Sequence, residues 1–215
     1  MPVVQLRRGS TYSALPSRSD NTSAVPASPF IGGERKKQMN VAIIGPTNVP
    51  KVASAAGLET EAYRRCVAEA ATELARRGHE LVVVPDRGIG LWAAEVYRRA
   101  GGQKVIGLIP SGGTGIQEET NECQKHRHLC DVVIDDLTWP EQFPRICQLA
   151  EVMLCIGLSC GTMGEIVWTK WVGSPPVVVV ASLISGIPPE IMAETDVRLV
   201  SDLEEFWEVL DSIRR

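Results

Sequence analysis

From Asn40 onward, short apolar runs rich in Val and Ile alternate with longer amphipathic segments, and few folds satisfy that order. A strand covered by helices on both faces reads as a continuous apolar run instead of an in-out alternation. Runs of this kind predict strands over residues 41–44, 80–84, 104–109, 131–134, 152–156, 177–180 and 198–200. Between them the 3.6-residue period predicts helices over 60–77, 91–100 and 161–172, ended by Gly78, Gly101-Gly102 and Gly173. A last helix over 203–215 follows Ser201 or Asp202 as N-cap and places Leu203, Phe206, Trp207, Leu210 and Ile213 on one stripe. Strands alternating with helices imply an α/β, doubly wound, mostly parallel sheet of about seven strands.

Length and composition fit one such domain. The chain has 215 residues, 44% of them hydrophobic and 22% charged, which supplies a core and excludes disorder throughout. Residues 1–38 are different: rich in Ser, Pro, Thr and Arg and without periodicity, they read as a disordered leader before a domain over 39–215. Arg7, Arg8 and Arg18 loosely suggest a transit peptide, but no amphipathic helix accompanies them. A net charge of -4 and a pI near 5.5 give no general attraction to nucleic acid or anionic lipid. No apolar run approaches the roughly 20 residues that cross a bilayer, and no secretory signal is visible. The expectation is a cytoplasmic protein with no nucleic-acid or membrane partner, whose six cysteines are reduced thiols.

In a sheet of this kind, ligands sit beyond the carboxyl ends of the strands, where loops enter helices whose N-termini attract anions. Three loops qualify. The first, Gly45-Pro46-Thr47-Asn48, has a glycine for close approach but no complete dinucleotide fingerprint. The second, Pro85-Asp86-Arg87-Gly88-Ile89-Gly90-Leu91, offers two small backbone positions and a guanidinium suited to phosphate, unless Arg87 simply pairs with Asp86. The third runs from Cys155 to Glu165. Here Gly161 frees backbone N–H groups, Ser159 and Thr162 supply hydroxyls, and Thr162 could cap the helix. Glu165, one turn on, could bind a ribose hydroxyl or act as general acid or base, with the helix N-terminus favouring its ionised form. The alternative is a capping box, since Thr162 and Glu165 have the Thr-x-x-Glu spacing.

Three ordered segments, 85–92, 101–110 and 158–165, match motifs of known proteins in order and spacing. They are Pro-Asp-Arg-Gly-Ile-Gly-Leu-Trp, Gly-Gly-Gln-Lys-Val-Ile-Gly-Leu-Ile-Pro and Leu-Ser-Cys-Gly-Thr-Met-Gly-Glu. On these residues the chain resembles the Lonely Guy and molybdenum-cofactor-carrier branch of Rossmann-like proteins, long mislabelled as lysine decarboxylases. The resemblance covers nearly the whole domain and implies a Rossmann-like fold and a homodimer. It also implies a phosphate-bearing small-molecule ligand, either a nucleotide or a molybdopterin-type compound, with no other cofactor required. Together with the reading of the three loops, it leads to expected ligand contacts at Gly45, Pro46, Thr47, Arg87, Gly88, Gly90, Leu91, Ser159, Cys160, Gly161 and Thr162. Enzymes of the family cleave the N-glycosidic bond of nucleoside 5′-monophosphates with a glutamate, matched by Glu165, and an arginine from the preceding helix. That arginine falls where this chain has Gln142 and Phe143, and the nearest guanidinium is Arg145, after Pro144. The family's double glycines have become Pro85-Asp86 and Leu158-Ser159. These departures favour a binder over a phosphoribohydrolase, with Glu165 and Arg145 the catalytic pair if hydrolysis occurs.

Two further features stand apart. Cys123, His126, His128 and Cys130 lie within eight residues, but their spacing lacks the two separated pairs usual for zinc, so no metal is expected. That loop reads instead as a solvated cover with Lys125 or Arg127 near the ligand. Cys160, in the anion loop, is either reactive or a small space-filling residue, and the latter is preferred. Trp168 and Trp171, three apart, could face one partner surface, and the resemblance assigns their helix to a dimer interface.

Overall fold

The computed structural model describes residues 37–111 and 121–213. The expected leader over 1–38 lies outside them save for its last two residues, as do the last two residues of the expected C-terminal helix. Seven strands form one sheet, every pairing parallel: β1 Asn40–Ile44, β2 Glu80–Val83, β3 Val105–Leu108, β4 Val132–Ile134, β5 Val152–Cys155, β6 Val177–Val180 and β7 Val197–Val200. The spatial order is β4-β3-β2-β1-β5-β6-β7. Successive strands step outward from β1 on one side, and the chain then returns to add β5, β6 and β7 on the other. The reversal falls between β1 and β5, which makes their carboxyl ends the topological switch point.

The apolar runs explain this placement. β3, β5 and β6 are buried at every residue, as a strand covered on both faces must be. Alternate residues of β1 divide between the two faces: Val41 and Ile43 enter one core layer, Ala42 and Ile44 the other. The first layer is completed by α1 Val49–Ala56, α2 Thr60–Arg76, α3 Gly88–Arg99 and α7 Leu203–Ile213. The second is completed by α4 Gln142–Leu149 and α5 Cys160–Trp168, with α6 Pro189–Glu194 beside them. The edge strands leave apolar side chains in solvent, Val132 on β4 and Leu199 on β7.

Several boundaries differ from the sequence reading. α1 was not anticipated, although Asn48 caps it by accepting from the Lys51 N–H at 3.3 Å and Gly57 closes it in the left-handed region. α6 was likewise absent from the expected helices, and α4 was implied only by the resemblance, as the helix before the glutamate motif. α3 begins at Gly88, three residues before the expected start, and α5 ends four residues early, at Trp168. There the Thr169 hydroxyl donates to the Ile166 carbonyl at 2.6 Å and its N–H bonds the same oxygen, tightening the last turn. Residues Cys123–Leu129 form a 3₁₀ helix with Cys123 fully buried, so this segment is anchored in the core and is not a purely solvated loop. Among the described residues no helix is long and apolar enough to cross a membrane.

Candidate functional site

The loops after β1, β2 and β5 converge at the switch point and are bonded to one another. Ile89 N–H donates to the Pro46 carbonyl at 3.2 Å, joining the second loop to the first. Gly88, at φ +56°, lies so close beneath the first loop that a Cβ would collide with the carbonyl oxygens of Pro46 and Thr47. Gly45 is equally confined, since a Cβ there would stand 2.5 Å from the Ile156 carbonyl oxygen and 2.6 Å from Ile89 Cγ1. These glycines therefore serve the mutual approach of loops.

At the third loop, Ser159 is the N-cap of α5. Its Oγ accepts from the Thr162 N–H at 3.2 Å and lies 2.9 Å from Thr162 Oγ1. The capping role suggested for Thr162 thus belongs to Ser159, because the helix starts at Cys160, one residue earlier than expected. Glu165 then lies beyond the first turn, too far along for a capping box, and its carboxyl group makes no hydrogen bond or ion pair among the described residues.

A cavity of about 250 Å³ opens at this point, somewhat below the roughly 300–1,000 Å³ usual for small-molecule pockets. Gly45 and Thr47 line it from the first loop, Arg87 and Gly90 from the second, and Ser159, Gly161, Thr162 and Glu165 from the third. Other expected residues stand back: Pro46 is buried, Leu91 half-buried and Cys160 exposed, and none of them lines the cavity. Arg145 is exposed and donates to Gln148 Oε1 at 3.1 Å, also outside the lining. The structure places Gln142 and Phe143 at the cavity instead, with Trp139 and Ile146. Trp139 and Ile146 were missed because no motif contains them, although Ile146 belongs to the apolar face of an amphipathic helix.

The electrostatics follow from burial. Glu165 is 7% exposed, and desolvation raises its carboxyl from 4.5 to about 8, so the group is mostly protonated at neutral pH. This corrects the expectation that the helix N-terminus would favour its ionised form: the helix field fades within the first turn, while burial acts on the whole group. Buried thiols nearby are raised in turn, Cys147 to about 12, by burial and then by the Glu165 charge. Asp86 is almost fully buried, but its Oδ1 accepts the Glu122 N–H at 2.6 Å and its Oδ2 faces Arg87 Nε at 3.4 Å. The guanidinium consequently offsets Asp86 and lines the cavity at once, which unites the two roles considered for it. Gln142, 3% exposed, leaves its Oε1 without a hydrogen bond, a state that costs about 1–3 kcal/mol unless something donates to it.

The neighbouring 3₁₀ segment does not bring its cations to the ligand end. Lys125 pairs with Glu122 at 2.9 Å and Arg127 with Asp135 at 2.6 Å, and neither lines the cavity, which corrects their placement near a ligand. His126 Nδ1 bonds the Pro85 carbonyl at 2.9 Å and His128 Nδ1 the Lys125 carbonyl at 3.1 Å. Among the described residues no three His, Cys, Asp or Glu side chains converge as metal ligands. On α5 and just beyond it, Trp168 and Trp171 are both exposed, their rings edge-to-face with centroids 6.1 Å apart.

No protein-family profile matches the sequence, and no curated protein sequence does. Solved structures do match. The molybdenum cofactor carrier protein of Chlamydomonas reinhardtii superposes with a TM-score of 0.58 at 17% identity, over 82% of this chain and 98% of that one. The molybdenum cofactor binding protein of the phototrophic bacterium Rippkaea orientalis gives 0.61 at 17%, over 83% and 99%. DNA processing protein A of Helicobacter pylori, described with a single-stranded DNA binding mode, gives 0.58 at 16%, over 82% and 81%. At such identities the likeness speaks to architecture, and with the seven-stranded parallel sheet it bears out the expected resemblance at that level: this chain has the Rossmann-like fold of the molybdenum cofactor carrier proteins.

Proposed function

We propose that this protein binds a phosphate-bearing small molecule, a nucleotide or a molybdopterin-type compound, at the switch point and holds it without cleaving it. The observation that carries the reading is the cavity at the mouth of α5, where Ser159, Gly161 and Thr162 meet Thr47 and Arg87. A helix N-terminus with free backbone N–H groups, hydroxyl donors and one guanidinium suits a phosphate. The fold shared with a carrier and a binding protein for the molybdenum cofactor is consistent with that ligand class. Holding without cleavage is favoured by Arg145, which sits outside the cavity and leaves Glu165 without a cationic partner.

One observation favours the second reading, a nucleoside 5′-monophosphate phosphoribohydrolase. Glu165 is protonated at neutral pH and lines the cavity, so it is poised to give its proton to a departing base. Incubation with AMP and CMP separates the two. Binding by calorimetry with no free base by chromatography is the expected result, whereas base release that vanishes in Glu165→Gln establishes the hydrolase. If neither nucleotide nor ribose 5-phosphate binds, the phosphate seat itself is refuted. The same proposal includes a cytoplasmic location and a homodimer, the latter supported by the solvent-facing pair Trp168 and Trp171.

A further inference from the structure

The cavity's other wall carries groups that no motif announced. Trp139, Gln142, Phe143 and Ile146 all come from the segment between β4 and the end of α4, away from the three phosphate-facing loops in the chain. Aromatic side chains in the wall of a small cavity favour planar rings, because contact with a flat π-system is tolerant of its identity and buries its apolar surface. Gln142 adds a polar requirement. Its side chain lines the cavity while only 3% exposed, and its Oε1 is buried with no hydrogen-bond partner among the described residues, so the amide carries an unpaired acceptor at the cavity wall. The last torsion of a glutamine has only a broad, roughly two-fold preference, so a turn of the amide that brings Oε1 to a ring edge meets no intrinsic torsional barrier of note. A cation would be a poor donor here, since it would be drawn out of water into a pocket end whose carboxyl, Glu165, is itself protonated at neutral pH. A neutral N–H fits.

We propose that Trp139, Phe143 and Gln142 form a ring subsite that selects an amino-substituted planar heterocycle, a nucleobase or a pterin, whose exocyclic amine donates to Gln142 Oε1. The inference rests on the phosphate seat proposed above and names the other half of the ligand. It assigns to Gln142 a specificity role that is independent of whether any bond is cleaved.

Calorimetric titration of the full chain tests it with ligands that differ only in the amine: AMP against purine riboside 5′-monophosphate, and GMP against IMP, with ribose 5-phosphate as the ring-free control. In at least one pair the amine-bearing nucleotide is expected to bind about ten- to a hundredfold more tightly, the loss that follows from leaving one buried acceptor unpaired. Gln142→Met, which keeps the volume and removes the acceptor, is expected to bring that pair within about twofold. Equal binding within both pairs, with ribose 5-phosphate still bound, overturns the ring subsite and leaves the phosphate seat standing. Absence of binding by every ligand overturns both. Discrimination that survives unchanged in a folded Gln142→Met overturns the role of Gln142, and should that variant not fold, the wild-type pairs still decide the selection.

Discussion

Glu165 couples a proton to folding. Its carboxyl is raised from 4.5 to about 8 in the folded chain, so between those values the native state holds a proton that the unfolded state has released. Stability from this group is complete below about pH 4.5, falls as pH rises through that window, and levels off above about 8. Glu165→Gln cannot titrate, and chemical denaturation from pH 4 to 9 should show the wild type losing on the order of a few kcal/mol relative to the variant. Parallel curves would mean that the carboxyl is not desolvated. Glu73 acts in the opposite direction and in a separate window. The Arg76 hydrogen bond holds it near 2, so its contribution is present above 4.5 and lost only as pH falls toward 2. A second residue-scale expectation concerns Gly88. Gly88→Ala meets both a left-handed φ and two carbonyl oxygens, and should cost about 2–4 kcal/mol in denaturation midpoints while opening the first loop.

At the scale of elements, the mouth of α5 depends on one cap. Ser159→Ala removes the acceptor of the Thr162 N–H and should lower stability by about 1 kcal/mol, measurable by urea denaturation. If the phosphate seat is the one proposed, ligand affinity should fall with it. An unchanged affinity would place the anion elsewhere. The same helix shows what is legible locally. Its strand, its glycine and its hydroxyl residues were all readable before the structure, yet the choice between Ser159 and Thr162 as cap was not, because both types cap well and only the backbone course of the β5 loop decides. α1 carried readable signals in Asn48 and Gly57, but eight residues give barely two turns in which a periodic stripe can be recognised. α4 was obscured by Pro144 and by its position between two short strands.

At the scale of the molecule, the exposed tryptophan pair predicts assembly. Trp168 and Trp171 are 39% and 65% exposed, and large apolar side chains grouped in solvent mark an interface. Sedimentation of the wild type should report a dimer, and Trp168→Glu with Trp171→Glu a folded monomer; a monomeric wild type removes this reading. The sequence by itself determined the α/β architecture, because strands buried on both faces must be apolar throughout and their spacing leaves room only for helical crossovers. It also singled out the three loops that line the cavity, since each follows a strand and carries glycine or hydroxyl residues. Only the tertiary structure decided the rest: that Arg145 lies outside the cavity while Gln142 lines it, that Trp139 forms part of the wall, and that burial pushes the Glu165 carboxyl up to about 8. The reason is physical. Burial and unsatisfied hydrogen bonds are properties of what surrounds a side chain, and here the surroundings come from segments about a hundred residues apart, brought together at the junction of β1 and β5.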